Sequence, residues 1–187
     1  SDSQVSAQNI SHTGSESTFR VTKDENFLGE TYIDVPGKHN VTNSLASVAL
    51  GLELGIPFSA ISRGIQSYSG VKRRFEIKGT CHDVMVVDDY AHHPTEVRAT
   101  LDAARDGWNR RIIAVFQPHL FTRTRDFYQD FADSFSKADI LIVTEIFPSR
   151  EEPIEGISGE LVVHAAQENN HPQPLYINEW EQLKKSL

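Results

Sequence analysis

The pattern of apolar and polar positions changes period twice along the chain. Over residues 1–35, short β-prone runs at 5–10, 18–22 and 27–35 are separated by Gly, Ser and charged turns. They predict antiparallel strands of a sheet that begins upstream of Ser1. From Gly37 the period becomes helical: Val41, Leu45, Val48 and Leu52 recur at helix spacing until Gly55 and Pro57 stop the run. A second helix is predicted from about Phe58 to Tyr68, with Ile61 and Ile65 inward, and Gly70 ends it.

Beyond about Gly79 the pattern alternates. Apolar runs at 84–87, 112–116 and 140–143 read as strands buried on both faces. Between them lie amphipathic segments carrying Val97, Leu101 and Ala104, then Phe127, Phe131 and Phe135. A further helix near 159–168 leads to a weak strand at 175–177. Such alternation predicts an α/β fold, a Rossmann-like parallel sheet with right-handed crossovers and helices on both faces. An incomplete α+β piece precedes it. The boundary is expected near residues 76–80, giving domains 1–78 and 79–187, the second lacking its last strand.

Composition narrows the partners. With 39% hydrophobic residues the 187-residue chain can pack a core, yet no run is long enough to span a bilayer. The first residues are polar and lack the regions of a signal peptide. The single cysteine, Cys81, excludes an internal disulfide and suits a reducing cytoplasm. A net charge of −8 argues against nucleic acid as the main partner. Basic residues nevertheless cluster at Lys72, Arg73 and Arg74 and at Arg123 and Arg125. Such clusters suit small anionic ligands, or are solvated surface charge.

In open parallel sheets ligands bind beyond the carboxyl ends of the strands. There the sequence places Asp88, Asp89, Tyr90, His92 and His93 after the first run, Gln117, His119, Arg123 and Arg125 after the second, and Glu145, Arg150, Glu151 and Glu152 after the third. Arg123 falls in the first turn of a helix, where the dipole disfavours a cation, and so points to an anionic ligand. His119 suits a site or a simple helix cap. Asp88 and Asp89 suit ribose hydroxyls, an arginine partner or a cap. Adjacent His92 and His93 point apart on an extended segment, and no third ligand has metal-site spacing, so no metal ligand is assigned. Asn40 and Asn43, three apart at a helix start, share a face that can read a base edge, unless one is an N-cap. Arg74 lies where the domains meet and can reach a cleft. The string Gly37-Lys38-His39 is not a phosphate loop, because it lacks the upstream Gly and the Ser or Thr after Lys.

The strings GKHNVTNSLASVALGLELG, GVKRRFEIKG, VVDDYAHHPTEVRATLDAAR, AVFQPHLFTRTRDFYQDFADSF and EEPIEGISGE resemble the Mur ligases, in particular their L-alanine-adding branch. The resemblance is strong from about Val35 to Gly159. Such ligases have a UDP-sugar domain, a central ATPase domain with the phosphate loop, and a Rossmann-like carboxy-terminal domain. The chain resembles the end of the second and most of the third.

The resemblance implies a bacterial, cytoplasmic, ATP-dependent carboxylate–amine ligase of peptidoglycan synthesis. Its substrates are UDP-N-acetylmuramate, L-alanine and ATP, and its chemistry runs through an acyl phosphate. It implies magnesium too, with ligands mainly outside this chain. Carried over by position, Asn40, Asn43, Arg74 and Asp89 match nucleotide-binding residues, while Tyr90, His92, His119 and Arg123 match the L-alanine pocket. Arg74 and His92 are the implied catalytic residues, His92 as base or orienting group. Leu120 departs from relatives with a basic residue there. Without the phosphate loop and sugar domain, the chain alone is not expected to turn over. A ligase attaching a recycled murein tripeptide, and a non-catalytic nucleotide-binding module, are the alternatives.

Overall fold

The computed structural model describes residues 4–186. Three antiparallel strands open the chain: β1 (Val5–Thr13), β2 (Glu16–Lys23) and β3 (Asn26–Ile33), in the order β1-β2-β3. Lys23 pairs with Asn26, so a two-residue turn joins β2 to β3. Asp24 and Glu25 are both left-handed there, with φ of 48° and 66°. Two successive positive φ values give the type I′ turn, whose twist matches that of the strands. Helices α1 (Lys38–Glu53) and α2 (Phe58–Gln66) pack on this sheet around Phe19, Val21, Ile33, Val41, Val48, Ile61 and Ile65. Gly51 of α1 is buried because Ile61 lies against it: a Cβ there would come within 2.7 Å of the Ile61 Cδ1. The expected stripe therefore turns slightly, burying Ser44 and Gly51 fully and Leu45 and Leu52 only partly.

The next two strands correct one expectation. Strand β4 (Glu76–Cys81) pairs antiparallel with β5 (Val84–Asp88) in a separate two-stranded sheet. The 84–87 run was expected in the parallel sheet, buried on both faces. Instead Val84 and Val86 are exposed, and the strand alternates as a hairpin arm does. The cause is local. Cys81 pairs with Val84, and His82 and Asp83 take φ of 46° and 63°, a second type I′ turn.

The parallel sheet has the order β6-β7-β8, from β6 (Ile113–Phe116), β7 (Ile140–Val143) and β8 (Pro174–Tyr176). Helix α3 (Pro94–Gly107) precedes β6, α4 (Phe121–Ser134) and α5 (Glu160–Glu168) supply the two crossovers, and α6 (Trp180–Ser186) follows β8. Only the central strand β7 is buried on both faces; the edge strand β6 leaves Ile113 and Val115 outward. The core joins Val97 and Leu101 of α3, Phe131 and Phe135 of the α4 region, Leu141 and Val143 of β7, and Val162 of α5. Phe127, expected inward, is 36% exposed and sets its ring edge to His93, with centroids 5.2 Å apart. Gly159 is required where α5 begins, since a Cβ would collide with the Thr144 carbonyl oxygen.

Packing separates two compact units. One takes the residues up to Tyr90 together with 102–109, and the other takes 91–101 and the residues from Arg110 on. No helix among the described residues is long and apolar enough to cross a membrane.

Candidate functional site

In the first unit, the start of α1 is shaped by Gly37. Its φ of 102° suits glycine, and a Cβ would lie 2.7 Å from the His39 ring. Gly37 is the N-cap position, so neither Asn40 nor Asn43 caps the helix. Asn40 sits in the first turn and donates its Nδ2–H to the Pro36 carbonyl at 2.8 Å. Its side-chain carbonyl is thereby oriented away from that loop. Asn43 is exposed one turn on.

The Arg73–Phe75 turn is gripped by the segment after β5. Arg73 and Phe75 are left-handed, with φ of 58° and 48°. The Phe75 N–H donates to Asp89 Oδ2 at 2.8 Å, and the Tyr90 N–H donates to the Arg73 carbonyl at 2.8 Å. The Arg73 guanidinium lies 4.6 Å over the Tyr90 ring and 3.7 Å from Asp88. Phe75 then stacks on Trp108 at 5.3 Å. Two left-handed backbone positions held by these five contacts describe a turn that fixes the backbone on either side of Arg74. Arg74 lines a cavity of about 390 Å³ with Val35, Pro36, Lys72 and Phe75.

His39 responds to the same groups. Burial holds its imidazole below the ordinary 6.5, Asp89 opposes that, and Arg74 reinforces it. His39, Arg74 and Asp89 therefore share one neighbourhood beside the start of α1. Sequence reasoning passed over His39 as a failed phosphate-loop residue. Its position directly before Asn40 was the available signal.

In the second unit the chemistry gathers beyond the carboxyl ends of β6 and β7. Parallel pairing continues past the strands as a bridge from His119 to Phe147. The Phe147 N–H donates to the Pro118 carbonyl at 2.8 Å, and the Leu120 N–H donates to the Phe147 carbonyl at 3.0 Å. Leu120, at φ 75°, turns the chain into α4 and offers no side-chain cap. Glu151 supplies the cap from 29 residues away: it accepts the Thr122 N–H at 3.0 Å and the Thr122 hydroxyl at 2.5 Å. A carboxylate at a helix amino terminus is stabilised by the dipole. These bonds hold Glu151 below the usual carboxylate range, the hydroxyl bond foremost. The cap is intact at neutral pH and is lost as pH falls through the folded-state value, below 4.5.

Arg123 projects from this first turn. One Nη1 donates to the His92 carbonyl and to His119 Nδ1, both at 3.3 Å. Because the guanidinium only donates, His119 Nδ1 accepts and the ring proton sits on Nε2. Burial lowers the basicity of His119, and Arg123 and His92 lower it further. The His92 and His119 rings meet edge-on at 6.2 Å. His92 Nδ1 faces Glu96 Oε2 at 3.4 Å, and the same oxygen accepts the His92 backbone N–H at 3.0 Å. Glu96 thus sets both the backbone and the ring of His92. Of the four residues expected together, the structure joins His92, His119 and Arg123 and places Tyr90 with Arg73 in the first unit. Glu96 was missed, and Glu151, placed by the sequence among the strand-end groups, was not expected as the cap of α4.

A parallel sheet whose strand ends gather a His–Arg cluster has the layout in which open α/β sheets bind small ligands. The family model described as Mur ligase, glutamate ligase domain, matches residues 73–187, and the chain belongs to this family. The UDP-N-acetylmuramate–L-alanine ligase of Geotalea uraniireducens is 46% identical over 171 residues, covering 91% of this chain and 37% of that one. Among solved structures, the UDP-N-acetylmuramate–alanine ligase of Thermotoga maritima superposes with a TM-score of 0.81 at 28% identity, covering 98% of this chain and 39% of that one. A murein peptide ligase from Psychrobacter arcticus gives 0.61 at 26% identity, covering 99% and 38%. The chain thus spans under two fifths of the length of the curated relative it matches.

Proposed function

We propose that this chain is the part of a UDP-N-acetylmuramate–L-alanine ligase that receives L-alanine and contributes to the ATP site. The cluster of Arg123, His119 and His92 beyond β6 and β7 is the observation that supports this most. Arg123 keeps Nε and Nη2 without a partner among the described residues, and so can grip a carboxylate. His92, set by Glu96, orients the incoming amine or takes its proton. Asn40 and Asn43 read the adenine edge, Asp89 holds ribose, and Arg74 faces the phosphates. Domains 1–78 and 79–187 are then the end of the central ATPase domain and the terminal ligase domain.

In the reaction, the lactyl carboxylate of UDP-N-acetylmuramate takes the γ-phosphoryl group of ATP, releasing ADP. The alanine amine attacks the acyl phosphate carbonyl, the C–N bond forms, inorganic phosphate leaves and the amine proton is lost. Positioning and cationic stabilisation carry most of such a transfer. Magnesium would neutralise phosphate charge when bound. Among the described residues no group of three or more His, Cys, Asp or Glu side chains is arranged to hold a metal. By the family resemblance its ligands lie mainly outside this chain, and the whole enzyme is read as a bacterial cytoplasmic one of peptidoglycan synthesis.

Isothermal calorimetry tests the division of labour. The chain should bind ATP and L-alanine weakly and UDP-N-acetylmuramate not at all. Binding of the sugar nucleotide in preference to L-alanine would overturn the assignment.

A further inference from the structure

The loop after β7 brings a second guanidinium to the same histidine. A tight turn closes where the Glu151 N–H donates to the Pro148 carbonyl at 3.0 Å, with Ser149 left-handed at φ 56°. Arg150 occupies the corner of that turn and is exposed. Glu151, the next residue, is latched to Thr122, whose own neighbour is Arg123. The latch therefore fixes Arg150 and Arg123 on two segments that meet at one point. His119 bridges to Phe147 of this same loop, and both arginines depress its basicity while Glu151 acts against them. Both Glu151 oxygens accept bonds from the first turn of α4, and Glu151 makes no ion pair with either arginine among the described residues.

Neither Arg123 nor Arg150 has a carboxylate partner among the described residues. In a chain with 26 acidic and 18 basic residues, acidic partners are plentiful. Two guanidiniums left without one, on adjoining segments beside an imidazole whose Nε2 carries the proton, form a receptor for an anion. Leu120, at the start of α4, adds no charge of its own.

We propose that Arg150 is a second carboxylate-binding residue for the amine substrate, reaching it from the β7–α5 loop while Arg123 reaches it from α4. This rests on the L-alanine reading of the His92–His119–Arg123 cluster. Glu151 is a positioning residue for both arginines. The pair explains how a small amino acid is selected over a simple amine, since a carboxylate gripped from two sides is required for tight binding.

The test is a nuclear magnetic resonance titration of the whole chain, followed at the His119 ring and the Arg123 side chain, with L-alanine and with acetate as probes. Arg150→Ala should weaken L-alanine about tenfold, and Arg150→Lys should recover part of that loss, because charge survives but the planar fork does not. In the ligand-free chain the same Ala variant should move the His119 pKa back towards 6.5. An unchanged L-alanine affinity in Arg150→Ala overturns the proposal. Arg150-dependent binding of acetate, with no preference for L-alanine, supports the carboxylate site and overturns the alanine reading. No response of His119 or Arg123 to either probe overturns both.

Discussion

Replacing Arg123 by alanine is expected to raise the KM for L-alanine roughly 10- to 150-fold in a complete ligase carrying this segment, the kinetic equivalent of the ~1.5–3 kcal/mol of a charge-assisted hydrogen bond. The KM for UDP-N-acetylmuramate should stay within about twofold, because the predicted contact is with the amino acid alone. The argument is geometric. Arg123 is held by the His92 carbonyl and by His119 through one nitrogen, which fixes the direction of the fork while leaving its outer edge for a ligand. It also stands in the first turn of α4, where the dipole is unfavourable to a cation and favourable to the anion that the cation would bind. Steady-state kinetics with each substrate varied in turn reads the result. Unchanged alanine kinetics would remove Arg123 from the site.

The second large effect is on stability. Phe131 is fully buried, 5.0 Å from the Phe116 ring, in the core that also holds Leu141 and Val162. Phe131→Ala leaves a cavity between α4 and the sheet and should cost about 3–5 kcal/mol. Because the chain has two packing units, a single unfolding midpoint need not be two-state. Native-state hydrogen exchange at the β7 amides reports the second unit by itself. Phe127→Ala, at a half-exposed position of the same helix, should cost under about 1 kcal/mol. Equal effects of the two substitutions would show that the packing of α4 is misassigned.

Much of this architecture was legible in the sequence, and the misses have local causes. The helices were readable because Val41 and Val48, Ile61 and Ile65, or Val97 and Leu101 repeat at helix spacing and do pack inward. The β7 run is buried on both faces because it is the central strand and Val97, Phe131 and Val162 of the helices share one core with Leu141 and Val143. The 84–87 run looks the same in composition, but the His82-Asp83 turn folds it back on β4. A four-residue apolar string carries no record of its partner, whereas a turn with two left-handed residues does. Phe127 misled for a similar reason. An aromatic on the helical period can cover a histidine at the surface as readily as it fills a core.

Chemical residues were easier to find than the residues that aim them. His119 and Arg123 stood out at a strand end. Glu96 carried no signal, and Glu151, though placed at a strand end, gave none of its bond to Thr122, because a carboxylate acting from 29 residues away leaves no spacing to read. Tyr90 packs under Arg73, a contact that no spacing in the sequence announces.

The most direct measurement is the amine dependence of ATP hydrolysis by a complete ligase carrying these residues, with UDP-N-acetylmuramate present. L-alanine should support phosphate release, and Arg123→Ala should abolish that stimulation at alanine concentrations that saturate the unaltered enzyme. A murein tripeptide should give little. Stimulation by the tripeptide and not by L-alanine would contradict the account and move the chain to the recycling ligases.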